Sequence, residues 1–270
     1  MKHVSDLIGR WLGNYRVVQV IKAGGLAGQL CAHDAFANRY VAITVCRLRP
    51  DMDEGFVTRY ENMARELRDH EHPNILSVYD WGQDHDFFYC VTELTTAGSL
   101  AEQLRYGPLP VPEAGRVLRS LASALTAVHS RRVFHRDLKP SNVLVDRERE
   151  QVWLTAFCPP PAGCESYGTL SYMAPELFKG PSLGVRSEVY SLGLLVFEML
   201  SGRLPFDPGP PQSILTLHKS QKQAPPLDAL RPDVPKRMAS AVSKAISADP
   251  ESRYTTAEDF ATEAWPEHDL

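Results

Sequence analysis

The feature that most constrains this chain is a change of hydrophobic period near residues 95–98. Before it, apolar and polar residues alternate in short runs, the two-residue period of a strand with one buried face. YRVVQVIK leads into a glycine-rich AGGLAG, then QLCAHD, a turn at DAFANR, and YVAITVCRL. This predicts a meander of three antiparallel strands. Residues 55–69 switch to helical spacing, with Phe56, Met63 and Leu67 on one stripe and HPN as the stop. ILSVYDWG and FFYCVTEL, joined by QDHD, predict two further strands. Beyond residue 98 the period is helical. In EAGRVLRSLASALTAVHSRR the apolar residues Val117, Leu118, Leu121, Leu125 and Val128 form one face, while SEVYSLGLLVFEMLSG is apolar on nearly every side, as a buried helix must be. AEQLRYG, KRMASAVSKAIS and TTAEDFATEAW are also helical. The prediction is an α+β chain. A β-rich portion over 15–94 has five strands and one helix, and a mainly helical portion covers 95–265.

Composition narrows the function classes. Apolar residues make up 43% of 270, enough for a large core. A net charge of -4 argues against nucleic acid or an anionic membrane surface as the main partner. Five cysteines form no CxxC pair, which fits a reducing, cytoplasmic setting and indicates neither a disulfide framework nor a zinc site. MKHVSDLIGR has no apolar core of a signal peptide. The longest apolar stretch, 189–200, is too short to span a membrane and contains Glu198.

Four motifs follow in order: FHRDLKPSNVLV at 134–145, GTLSYMAPE at 168–176, SEVYSLG at 187–193 and DPESRY at 249–254. In this order and spacing, over about 15–265, the chain resembles the bacterial Ser/Thr protein kinases. The resemblance implies a two-lobed kinase fold with a β-rich N-lobe and a helical C-lobe. It makes Asp137 the acceptor of the substrate hydroxyl's hydrogen bond, Lys139 the residue that steadies the transferred phosphate, and Asn142 a magnesium ligand. It also implies a buried Glu176–Arg253 ion pair and Thr169 hydrogen-bonded to Asp137. Glu188 takes the place of an aspartate that orients the catalytic-loop backbone.

The pattern breaks where ATP and magnesium would be handled. The strand lysine is Thr44; only Ala42 and Cys46 share its face along that strand, and Arg47 points the other way. Its helix glutamate partner is Met63, counted back from His72-Pro73-Asn74, and the metal-binding Asp-Phe-Gly is Ala156-Phe157-Cys158. The family's three loop glycines fall on Lys22, Gly24 and Ala27, and the residue over adenine is Gln29. Lys22 reads as a solvated loop lysine, not a stand-in for the missing one. His72 is expected to cap the turn before Pro73, with His70 at the surface. The resemblance places any nucleotide against Gly24, Gly25, Gly28 and Ala42 on the strands, then Thr92, Glu93 and Leu94, with Leu144 beyond.

These losses predict a pseudokinase, a signalling scaffold or allosteric regulator with little or no phosphotransfer. Asp137, Lys139 and Asn142 then persist as braces of their loop. No cofactor is required, ATP binding is weak at most, magnesium is not bound, and the expected partner is a protein, another kinase or a signalling effector. Two alternatives are a weak ATP-dependent Ser/Thr kinase and a non-catalytic nucleotide-binding switch. The helix of 55–69 is expected to be held inward by Met63 and Leu67 packing on Phe157 and Val78.

Overall fold

The computed structural model describes residues 4–23, 27–48, 55–157, 170–178, 183–206 and 224–266. Two compact units emerge: Met1–Thr96 with Ala156–Glu165, and Ala97–Thr155 with Ser166–Leu270.

The first unit is built on a six-stranded antiparallel sheet. Its strands are β1 (Trp11–Leu12), β2 (Tyr15–Ala23), β3 (Ala27–Asp34), β4 (Arg39–Arg47), β5 (Val78–Asp84) and β6 (Phe87–Glu93), in the order β1-β2-β3-β4-β6-β5. Asn38 and His85 take positive φ at the β3–β4 and β5–β6 turns. Two features were absent from the sequence reading. A 3-10 turn, Val4–Leu7, and the short β1 precede Tyr15. Val4, Leu7 and Leu12 are buried in one cluster with Leu30, Ile43 and Val91 on one sheet face. Gly28 permits this packing: a Cβ there would lie 2.8 Å from Val4 Cγ1 and 3.0 Å from the Lys22 carbonyl.

Helix α1 (Phe56–Asp69) lies on the opposite face, where the Tyr60 ring meets Phe88 at 5.5 Å. Its buried stripe is Phe56, Tyr60, Ala64 and Leu67, and Met63 is only half-buried. Phe56 and Leu67 are thus buried as expected, while Tyr60 and Ala64, one turn apart between them, complete the stripe and leave Met63 at its edge. Leu67, Val78 and Phe157 are buried as expected.

The second unit opens with a small sheet, β7 (Gly98–Ser99), β8 (Val143–Asp146) and β9 (Gln151–Leu154). Ser99 caps α2 (Leu100–Leu104) in a reciprocal box with Glu102. Pro110 precedes α3 (Val111–His129), whose apolar face includes Leu118, Leu121 and Leu125. Helix α4 (Val185–Ser201) is buried almost all round and stops at Gly202, whose φ of 74° suits a left-handed cap. The chain continues through α5 (Leu227–Leu230), α6 (Lys236–Ala245) and α7 (Ala257–Ala264). Among the described residues no helix is long and apolar enough to cross a membrane.

Candidate functional site

The loop between α3 and β8 places Asp137, Lys139 and Asn142 together in the second unit. Asp137 is 7% exposed. Its Oδ1 accepts from Lys139 Nζ at 2.8 Å, and Nζ is 2.6 Å from Oδ2. Asn142 Nδ2 donates to Oδ2 at 2.9 Å and to the Asp137 carbonyl at 2.8 Å. Both carboxylate oxygens thus have partners within five residues of sequence.

Two buried groups hold this loop from behind. His135 Nε2 donates to the Thr155 carbonyl at 2.8 Å, which leaves Nδ1 to accept from the Asp137 amide at 3.3 Å. Burial outweighs the nearby carboxylates and lowers the His135 pKa, so the ring is the neutral Nε2–H tautomer. Glu188, on the first turn of α4, accepts from the Arg136 amide at 2.6 Å through Oε1 and from His129 Nε2 at 2.6 Å through Oε2. Arg136 has φ of 70°, a left-handed conformation that costs about 1–2 kcal/mol unless its surroundings fix it. Glu188 does fix it, so the glutamate reaches the backbone as expected. His129, which sequence reasoning missed, uses the second oxygen. A lone histidine ending an apolar helix carries no sequence signal of such a contact.

Farther along the unit, Arg253 Nη1 and Nη2 pair with Glu176 Oε1 and Oε2 at 2.8 and 3.0 Å, the expected ion pair in bidentate form.

Of the residues expected to handle nucleotide in the first unit, Ala42 and Thr92 lie on the sheet face that bears Thr44. Pairing across β3, β4 and β6 sets Gln29 opposite Thr44 opposite Cys90, and Cys31 opposite Ala42 opposite Thr92. The residues of these two rows on β3, β4 and β6 are uncharged. Burial pushes the Cys90 thiol up to about 12, so it is no thiolate at neutral pH. Gly28 belongs to the other face, under Val4. Glu93 is half-buried and Leu94 exposed; Leu144 lies in β8 of the second unit, opposite Ser99. Gly24, Gly25, Cys158 and Thr169 lie outside the described residues. Lys22 is exposed but belongs to β2, not to the loop that follows.

A nucleotide and a magnesium ion fare differently on these residues. Thr92 is 8% exposed, and its Oγ1 is buried without a partner. Such an orphan suits a polar heterocycle. Magnesium gains no side-chain ligand from Ala156, whose φ is 60°, and among the described residues no cluster of three or more His, Cys, Asp or Glu could hold a metal. His72 Nδ1 instead accepts from the Asn74 amide at 3.1 Å, capping its turn, and His70 is exposed.

Comparison with known proteins agrees with this geometry. The protein kinase domain family matches residues 15–265. The serine/threonine-protein kinase PrkC of Bacillus subtilis is 34% identical over 264 residues, covering 94% of this chain and 40% of its own length. The probable serine/threonine-protein kinase PknB of Lactococcus lactis is 32% identical, covering 92% of this chain and 41% of its own. The chain therefore spans about two fifths of the length of these relatives. Among solved structures, the Mycobacterium tuberculosis PknI kinase domain superposes with a TM-score of 0.77 at 25% identity, covering 95% of this chain and 97% of its own.

Proposed function

Since the chain belongs to the protein kinase domain family, we propose that it is a member with little or no phosphotransfer, acting in cytoplasmic signalling by binding another protein. The partner is another kinase or a signalling effector, and no cofactor is required. The observation that carries this reading is the combination of Ala156, whose side chain lacks a metal-binding atom, with an Asp137 carboxylate whose two oxygens are engaged by Lys139 and Asn142. That network braces a loop whether or not chemistry occurs.

Thr44 and Met63 point the same way. A buried charge without its partner costs several kcal/mol, whereas two neutral residues cost nothing of the kind. Losing both members leaves the sheet and α1 intact. Removing a single preorganised charge from a phosphoryl-transfer site costs roughly 10²–10³ in rate. Two such groups are absent here, though their effects do not simply add.

A second reading, a weak Ser/Thr kinase, draws on the same intact Asp137–Lys139–Asn142 cluster. The discriminating experiment incubates the purified chain with radiolabelled ATP, Mg²⁺ or Mn²⁺, and a basic substrate protein. No incorporation is expected. Label that disappears in Asp137→Asn would establish the second reading.

A further inference from the structure

Strand β2 slips register against β3 twice, between Val17 and Gln19 and again between Val20 and Lys22. Side chains alternate along a strand, so an unbroken β2 would set Lys22 on the face of Val20. That face packs on the cluster of Leu30, Ile43 and Val91. The second slip inserts Ile21 as an extra residue and moves Lys22 to the other face, opposite Gln29. Bulges recur where a side chain must be re-aimed. One row now crosses four strands: Lys22, Gln29, Thr44 and Cys90. The parallel row, Gln19, Cys31, Ala42 and Thr92, ends at the buried, unpartnered Thr92 hydroxyl.

We propose that Lys22 is the phosphate-binding residue of a metal-independent nucleotide site on this face, doing from β2 what a lysine at position 44 would do from β4. Strands lie about 4.8 Å apart, so β2 and β6 are separated by roughly 14 Å. The four-carbon stem of a lysine spans about one such spacing, so from β2 its Nζ can reach over Gln29 toward Thr44. About two spacings across the sheet and the two-residue offset between the rows, roughly 12 Å in all, remain between that ammonium and the Thr92 hydroxyl. This is too long for inorganic phosphate alone and suits a heterocycle joined to a phosphate. Gln29, Thr44, Cys31 and Ala42 between the two ends are small or neutral, so a phosphate meets no carboxylate among them. The single ammonium takes over charge neutralisation that Ala156 cannot delegate to a metal. The site is independent of whether phosphate is ever transferred.

Calorimetric titration of the purified chain in EDTA, with ATP and with adenosine as probes, tests this. ATP is expected to bind at least tenfold tighter than adenosine, with no tightening when Mg²⁺ replaces EDTA. A charge-assisted hydrogen bond lost to Lys22→Ala should weaken ATP roughly tenfold to hundredfold and leave adenosine unchanged. Lys22→Ala combined with Thr44→Lys, which returns an ammonium to the same row, should restore the preference for ATP. Lys22 is exposed, and unchanged adenosine binding together with the melting temperature of Lys22→Ala shows that the fold is kept. The proposal is overturned if neither probe binds, if ATP binds no tighter than adenosine, if Mg²⁺ is required, or if Lys22→Ala leaves the ratio intact. Phosphotransfer is scored separately on the same preparation, so failure here leaves the catalytic reading standing.

Discussion

Replacing Arg253 by alanine should be among the most destabilising single changes in the second unit. The residue is 3% exposed. Besides its two bonds to Glu176, the guanidinium donates through Nε to the Ser247 carbonyl at 2.7 Å, through Nη1 to Arg186 at 3.0 Å and through Nη2 to Ala248 at 3.1 Å. It also lies 4.7 Å from the Tyr190 ring centroid. Alanine removes all of these and leaves the Glu176 carboxylate with Ser187 Oγ, which donates at 2.8 Å. Breaking one side of a buried pair costs about 3–5 kcal/mol. For a chain of this size each kcal/mol lowers the melting temperature by roughly 2–4 °C, so a fall of about 10 °C is expected. Urea unfolding followed by circular dichroism measures it directly. A loss below about 1 kcal/mol, the range of exposed pairs, would refute the reasoning. The same pair sets a pH signature. Burial alone would raise the Glu176 pKa, but the hydrogen bonds and charge of Arg253 and the Ser187 hydroxyl outweigh it, and the net shift is downward. A carboxylate depressed in the folded state contributes stability that is complete above its unfolded value, about 4.3, and is lost as pH falls through the folded value. The gap between parent and Arg253→Ala should therefore be widest at neutral pH and narrow in acid.

Two further changes test the backbone geometry. Ala156→Gly should stabilise the chain by about 0.5–1 kcal/mol, the left-handed cost of about 1–2 less the extra chain entropy of glycine, read as a shift in urea midpoint; a loss of stability would contradict a φ of 60° there. Glu188→Asp, one methylene shorter, should lose either the Arg136 or the His129 hydrogen bond and cost about 1.5–3 kcal/mol, whereas unchanged stability would mean that the two 2.6 Å contacts are not both formed.

Much of this architecture was legible because its causes are local. The two-residue period of YVAITV and the all-round apolarity of SEVYSLGLLVFEML state their burial directly, and β4 and α4 form where those patterns lie. The Glu176–Arg253 pair followed from motif resemblance. What escaped has non-local causes. Val4, Leu7, Ile8, Trp11 and Leu12 follow helical spacing, yet the stretch forms a 3-10 turn and a two-residue strand, and only the third dimension shows that Val4, Leu7 and Leu12 close a sheet face. In α1 Phe56 and Leu67 are buried as expected, but the middle of the stripe is Tyr60 and Ala64, because an alanine is the smallest apolar signal a helix can give, while Met63 beside it is larger and stays half-exposed. Strands of two to four residues such as β7, β8 and β9 are too short to show alternation. Bulges leave no mark in RVVQVIK, yet the second one decides which face Lys22 occupies.

The residues kept and the residues lost differ in what their removal would do to folding. Glu188, His135 and Arg253 satisfy backbone amides and carbonyls deep in the second unit, so replacing any one leaves a buried polar group without its partner, at about 1–3 kcal/mol for each neutral group. Asp137 and Asn142 belong to the same class, since Asn142 Nδ2 closes the loop onto the Asp137 carbonyl. A chain released from catalysis would retain all of these for stability alone. Positions 44, 63 and 156 differ in kind. Threonine sits half-buried in a strand that favours its branched Cβ, methionine sits half-buried on a helix that tolerates its unbranched stem, and neither leaves a buried charge behind. Only alanine at 156 carries a conformational cost, that of its positive φ. Retention of Asp137 is thus weak evidence for phosphotransfer, because folding alone accounts for it. Loss at 44, 63 and 156 is the stronger evidence, because folding does not require it.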